Sequence, residues 1–352
     1  MFSVNSINAD TQYKGMLNHI ITQGTDTSDG DVRPVWGDNN EPAYTIKAFS
    51  IRGTYDLRKE FPLLTCRRIA TKVALDELYW IYQKKSNKLS DINSHIWDSW
   101  AKPDPSCNNE LTVGRTYGWQ VANKTRNIKT TWRRMLEINP KKYELLANIE
   151  IKNHEISYAS LYDENQYISI NQLDQFIDLD ADVILAVDQM DYIIHEVIYN
   201  QYSRRLEIVL LDIDDVPYMN LEPCCDNLRF NVTKNDLGEK VLNLELEQRS
   251  LDTIVAGGHD VFVHAMLLRM IAQVTGCIAG EFVHDICDAH IYNRHVDQAK
   301  ALINANTTTS YYVWLNPNVK CFYDFTMDDV EVRNYEYDKE CTEICKKLPV
   351  AI

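Results

Sequence analysis

Leu228-Arg229-Phe230-Asn231-Val232 alternates apolar with polar residues, the period of a strand that buries one face. Two apolar runs of strand length flank it, Leu206 to Leu211 before and Val241 to Leu246 after, and the three together predict an antiparallel sheet. Downstream, a helical pattern runs from about Asp260 to Val274 and closes at Gly276, a residue type suited to a left-handed cap. Upstream, the first 30 or so residues read as a helix followed by a polar loop at Thr25, Ser28, Asp29 and Gly30. A strand pair is expected across Ala43 to Leu57, turning at Gly53. From Ile69 to Gln83 the period is helical and carries an oddity. Glu77 has Val73 four residues before it and Trp80 and Ile81 three and four after, so an acid faces an apolar stripe. Between Val121 and Val187 the character changes, with Lys141, Lys142 and Lys152 giving way to Asp174, Asp178, Asp180 and Asp182. That stretch reads as a segment inserted into an otherwise single domain spanning residues 1–352.

The 352 residues are 45% apolar, 10% aromatic and 25% charged, enough large side chains for a substantial core, which excludes disorder as the main state. Lys and Arg number 36 against 51 Asp and Glu, a net charge of −15 that repels a phosphate polymer, so a nucleic-acid partner is not expected. No run approaches the roughly 20 apolar residues of a membrane span, and Met1-Phe2-Ser3-Val4-Asn5 lacks the basic and apolar regions of a signal peptide. Nine cysteines at irregular spacings suit free thiols in a reducing compartment, and the expected location is cytoplasmic.

Chemistry-bearing residues gather at strand ends. Glu222-Pro223-Cys224-Cys225-Asp226 places a thiol between two strands, and a thiolate is a good nucleophile where positive charge lowers its pKa. Seen alone, it reads more readily as a buried structural cysteine. Cys224 and Cys225, with Cys341 and Cys345 and the His284, His290, His295 group, complete no zinc spacing, and no metal is expected. Tyr202-Ser203-Arg204-Arg205 precedes a strand and Gln248-Arg249-Ser250-Leu251-Asp252 follows one; arginine forks with a serine hydroxyl suit a phosphate monoester. In Asp288-Ala289-His290-Ile291-Tyr292, alternation puts His290 and Tyr292 on one face, where they can hold a sugar hydroxyl.

Taken in order, these segments resemble thymidylate synthase and its pyrimidine-nucleotide hydroxymethylase relatives. The matching pieces are Phe61-Pro62-Leu63-Leu64-Thr65, Glu77-Leu78-Tyr79-Trp80, Ile96-Trp97-Asp98-Ser99-Trp100, Tyr117-Gly118-Trp119-Gln120, Ser203-Arg204-Arg205, Pro223-Cys224, Gln248 to Asp252, Gly280-Glu281-Phe282, Asp288 to Tyr292, Leu315-Asn316-Pro317 and Pro349-Val350-Ala351-Ile352. They span nearly the whole chain apart from 121–187.

The resemblance implies an α+β fold around a large twisted sheet and a homodimer through the sheet face. In it Arg204 and Arg205 reach the phosphate held by the partner subunit, while Arg249, Ser250 and Arg33 bind phosphate from the same subunit. It also implies 5,10-methylenetetrahydrofolate as cosubstrate, with Asp252, Trp97 and Trp100 at the pterin and Ile352 closing as a lid. In such a reaction Cys224 adds to carbon 6 of the pyrimidine and makes carbon 5 carbanion-like. Glu77, on its apolar stripe, is expected to have a raised pKa suited to removing the carbon 5 proton through water, with Tyr117 nearby.

Where the family has Gly-x-Pro-Phe-Asn, this chain has Ala256-Gly257-Gly258-His259-Asp260, so Asp260 takes the place of the asparagine that reads the base. A carboxylate cannot donate to uracil O4, but it accepts from cytosine N4 and can share a proton at N3. The change looks like the deoxycytidylate hydroxymethylases of DNA-modifying bacteriophages. The expected activity is hydroxymethylation of dCMP. The alternatives are reductive methylation of dCMP or dUMP, hydroxymethylation of CMP or dUMP, and a non-catalytic binding relative. Hydride to the exocyclic methylene gives methyl and water gives hydroxymethyl, so water access separates the outcomes. Two further departures, Cys225 after the nucleophile in place of a histidine and Cys66-Arg67-Arg68 in place of Thr-Lys-Arg, alter the surroundings of the base.

Overall fold

The computed structural model describes residues 2–4, 8–145, 150–152, 155–157, 178–346 and 348–351. Ile352 and most of residues 146–177, Asp174 among them, lie outside them. The strands are β1 (Phe2–Val4), β2 (Thr25–Asp26), β3 (Thr45–Asp56), β4 (Lys102–Asp104), β5 (Glu110–Thr112), β6 (Arg126–Thr131), β7 (Glu150–Lys152) and β8 (Glu155–Ser157). There follow β9 (Asp182–Val187), β10 (Glu207–Val209), β11 (Cys225–Lys234), β12 (Lys240–Asp252), β13 (Ile278–Tyr292), β14 (Tyr312–Leu315) and β15 (Val330–Arg333).

One seven-stranded mixed sheet has the order β1-β3-β13-β12-β11-β10, with β2 also on β3. The two antiparallel pairings expected from the sequence, β10 with β11 and β11 with β12, are present. Leu228, Phe230 and Val232 are buried while Arg229 and Asn231 face out, as the alternation demands. Pairing turns parallel between β12 and β13 because the helix Gly257–Val274 carries the chain back along the sheet before it re-enters. That helix buries Phe262, Met266, Leu267, Met270 and Ile271, each apolar side chain contributing about 1.5–3 kcal/mol by leaving water. It ends as expected at Gly276, whose φ of +69° lets the Cys277 amide donate to Ala272 O at 2.8 Å.

Three local expectations are corrected. Ala43 to Leu57 holds no turn: β3 is a single strand through Gly53, which pairs with His284 on β13 and Val4 on β1. Gly53 is there for closeness, since a Cβ would meet the Tyr55 ring at 3.1–3.3 Å. The long helix begins at Gly257, three residues early, because its glycines let the backbone press on Tyr13, Ile69 and Leu64. The helical stretch after Ile69 follows the N-terminal helix α1 (Ala9–Gln23) in the chain and divides into α2 (Thr71–Leu78), packed on the Gly257–Val274 helix, and a wider π-helical turn over Tyr79–Gln83. Around the 121–187 segment, β6 pairs with β9 from Arg126↔Val187 to Thr131↔Asp182, so its two ends return to one place.

Candidate active site

Cys224 sits where β11 begins, and the chain is held there from three sides. Arg249 on β12 wraps the loop, its Nε donating to Pro223 O at 2.9 Å and its Nη2 to Glu222 O at 2.8 Å. The Arg249 amide donates to Cys224 O at 2.9 Å. A bulge between Cys225 and Asn227 leaves Asp226 without a register partner on β12 and re-aims the preceding residues, a common device beside reactive groups. The Cys224 amide donates to the Tyr117 hydroxyl at 2.9 Å. Burial pushes the Cys224 thiol above its ordinary range; Arg249 and Arg33 pull it down, Asp260 and Asp226 push it up, and burial prevails. The expected thiolate-favouring environment is therefore only partial without substrate.

Tyr117 has φ +45° and ψ −105°, a conformation that costs a non-glycine residue of order 1–3 kcal/mol and persists only where packing over-determines it. Gly118 supplies that packing, because a Cβ there would lie 2.2 Å from Ser86 O. Trp97 packs on Tyr117 with ring centroids 5.1 Å apart and on Trp100 at 5.7 Å, both edge-on, forming an aromatic wall. Trp97 Nε1 donates to Glu77 Oε1 at 2.8 Å.

Glu77 departs from expectation. Burial does push its carboxyl up, but the charge and hydrogen bond of His259, at 2.7 Å from Oε2, and the Trp97 donor outweigh it, and the net shift is downward. His259 moves up in return: burial alone would lower it, and the Glu77 carboxylate more than compensates. Each group therefore favours the charged form of the other.

Asp260, one residue on, behaves in the opposite way. Burial raises its carboxyl to about 6, with His259 and a hydrogen bond from Gln248 pulling down and Glu77 and Asp252 pushing up. Gln248 Nε2 donates to Asp260 Oδ2 at 2.9 Å. Gln248 Oε1 in turn meets His284 Nε2 at 2.6 Å, and His284, lowered by burial to about 3, is neutral and donates from that nitrogen. The tautomer therefore fixes the amide, and the amide fixes the acid.

The remaining residues divide. His290 and Tyr292 share a face of β13, rings 5.2 Å apart, and Tyr292 lies within electrostatic reach of Asp252, Arg33 and Cys224. Asp252 Oδ1 accepts from the Ile254 and Val255 amides at 3.0 and 3.1 Å. Ser250 lies on β12 beside Arg249. The tail ahead of Ile352 docks in the same region, Pro349 O accepting from His295 Nε2 at 3.0 Å and Ala351 bridging Trp36. Arg204 and Arg205 are exposed and stand apart. Leu206 O accepts from the Phe230 amide, six residues along β11 from Cys224, which at about 3.3 Å per residue is roughly 20 Å away.

The thymidylate synthase family model matches residues 11–345. The chain belongs to the thymidylate synthase family. It is 32% identical over 339 residues to a thymidylate synthase of Bacillus subtilis subsp. natto, covering 95% of this chain and 98% of the relative. It is equally similar to that of Bacillus phage phi3T, with the same coverage. The solved thermostable thymidylate synthase A from Bacillus subtilis superposes with a TM-score of 0.73 at 31% identity, over 97% of this chain and 99% of that one. The α+β fold expected from the resemblance is therefore present, and family membership makes the protein a one-carbon transferase.

Within this family frame the sequence reading overlooked the side chains that set the site's charges. Gln248 and His284 were in view, one as part of an arginine segment and the other in an unassigned histidine group. His259 stands at the phenylalanine position of the Gly-x-Pro-Phe-Asn pattern, and its residue type alone assigns it no role. The signal that could have found it was an ionisable residue replacing an apolar one beside a buried acid. Among the described residues no three His, Cys, Asp or Glu are grouped to hold a metal ion.

Proposed function

We propose that the protein transfers a one-carbon unit from 5,10-methylenetetrahydrofolate to carbon 5 of dCMP and delivers it as hydroxymethyl. The observation that carries this reading is Asp260, a half-buried acid whose carboxyl is raised by desolvation to about 6, at the base-reading position. Near neutral pH it exchanges between acceptor and donor, so it can accept from cytosine N4 and share a proton with N3. An asparagine would suit the uracil edge instead.

The chain's residues then divide the work. Arg33, Arg249 and Ser250 take the phosphate, and His290 and Tyr292 take the sugar. Cys224 forms its bond to carbon 6; substrate binding brings the thiol to a pyrimidine whose N3 and exocyclic group are held by Asp260. Glu77 takes the carbon 5 proton through water, with Tyr117 holding the nucleophile's loop. Trp97, Trp100 and the Asp252 carboxylate suit a flat heteroaromatic ring bearing N–H donors, so they fit the pterin, and Ile352 at the end of the docked tail would close over it. The folate supplies the one-carbon unit. The roughly 20 Å between Arg205 and Cys224 supports a homodimer in which Arg204 and Arg205 serve the partner's phosphate. The β3 and β13 surface, with Phe49 81% exposed beside the Arg52–Asp285 ion pair, is the face such a dimer would cover. We place the enzyme in the cytoplasm.

Reductive methylation is the second reading. It is favoured by the buried Trp97 wall, which limits water at the methylene, and by the thymidylate synthase names of the relatives. Mass analysis of product from dCMP and from dUMP with the folate decides between them: CH₂O adds about 30 units and CH₂ about 14. Preference for dUMP would overturn the role given to Asp260.

A further inference from the structure

Glu77 has both carboxylate oxygens engaged, Oε1 by Trp97 Nε1 at 2.8 Å and Oε2 by His259 Nε2 at 2.7 Å. Trp97 belongs to a motif shared with the family, whereas His259 replaces a phenylalanine that could neither donate nor carry charge. His259 lies in the first turn of the Gly257–Val274 helix and Glu77 in the last turn of α2, so the contact joins two elements packed face to face. Replacing a buried ion pair with apolar groups is often neutral or stabilising, so its presence beside a reactive centre calls for a reason other than stability.

We propose that His259 is a positioning residue for Glu77, fixing the orientation and the charge of the carboxylate that takes the carbon 5 proton. The inference rests on the assignment of Glu77 made above. In the step concerned, the C5–H bond breaks and the proton passes through water to Glu77. The electron pair forms the exocyclic double bond, and the bond to the folate nitrogen breaks with its pair leaving on nitrogen. A carboxylate clamped by two donors presents its remaining lone pairs in one direction, which is what a relay through a single water requires.

Other titratable groups also face the pair. Asp260 and His264 come from the same helix, Arg67 from the segment before α2, Cys225 from β11 and Tyr82 from the wide turn. Arg67 opposes a proton on His259 and Asp260 favours it. His264 is held neutral by burial, at about 4, so above that it contributes no full positive charge to Glu77. When protonated, His259 is the cation in direct contact, and its loss leaves Glu77 buried with Trp97 alone.

The test is tritium release from [5-³H]dCMP and [5-³H]dUMP as a function of pH, with the folate, for the unsubstituted enzyme, H259F, H259Q and E77Q. For H259F the acid limb of kcat should move up by about one pH unit and kcat should fall about 10–100-fold, with KM changed by less than about threefold. H259Q keeps a donor but no charge, so it should recover much of kcat at high pH while its acid limb stays raised. An unmoved limb in folded H259F and H259Q, or a loss confined to KM, overturns the proposal. Both carbon 5 outcomes release tritium, so product identity does not affect this readout. Tritium release persisting in E77Q would overturn the Glu77 assignment and this inference with it, whereas an unmoved limb beside a silent E77Q overturns this inference alone.

Discussion

Gln248 Nε2 donates to Asp260 Oδ2 at 2.9 Å, and the amide cannot turn over because its oxygen is held by the His284 N–H. One oxygen of the acid is thereby committed to the protein, and its direction towards a base is set by two residues that touch no base themselves.

D260N tests what that acid selects. The amide can donate to uracil O4, so the ratio of kcat/KM for dCMP over dUMP should fall by about 10–200-fold, the scale of 1–3 kcal/mol for a mismatched buried polar group. Steady-state assays with both nucleotides measure it. An unchanged ratio would remove Asp260 from base recognition.

The same substitution has a consequence for stability. Asp260 is raised from an ordinary 3.8 to about 6 in the fold, so the folded state holds its proton more tightly than the unfolded chain. The stability this contributes is fully present below about 4 and is lost as pH rises through about 6. D260N, which never ionises, should therefore gain on the unsubstituted protein by up to about 3 kcal/mol between pH 4 and pH 8. Urea denaturation at the two pH values checks this; a constant difference would mean the carboxyl is not held above its ordinary range.

Much of the architecture was legible because a period of two survives in sequence. Leu228 to Val232 is such a case, and a cap glycine such as Gly276 has few other uses. Parallel pairing of β12 with β13 was not legible, since it depends on how a helix returns the chain. Gly53 misled because glycine marks both turns and close approaches, and only the Tyr55 ring shows which applies here. The Glu77 charge was misread for a related reason. Burial was visible in the apolar stripe, but the partner that reverses its effect lies 182 residues away, and its pairing is a property of packing.

Cys224 should behave as a partly buried thiol with a raised pKa in the absence of substrate. Its alkylation by iodoacetamide, followed by peptide mapping to separate it from Cys107 and Cys287, should still be accelerating above pH 9. R249Q removes the nearest cation and should slow it by about tenfold at pH 8. C224S should abolish turnover while nucleotide still binds. A thiol already fully reactive at pH 7 would contradict the burial effect.

Arg204 and Arg205 follow β11 away from Cys224, and subunit exchange tests whether they serve the same chain's site or the partner's. If two copies share their sites, each site needs Cys224 from one chain and the arginine pair from the other. Neither C224S nor the double variant R204Q/R205Q should turn over alone. Mixed and allowed to exchange subunits, half of the dimers should be heterodimers. In each heterodimer one site carries both defects and the other carries neither, so about a quarter of the unsubstituted activity should return. Rescue requires exchange, so it should appear after brief denaturation and refolding of the mixture and depend on total protein concentration. A mixture that stays as inactive as its parents, although size measurements show heterodimers, would confine the phosphate site to a single chain. The exposed arginines would then need another explanation.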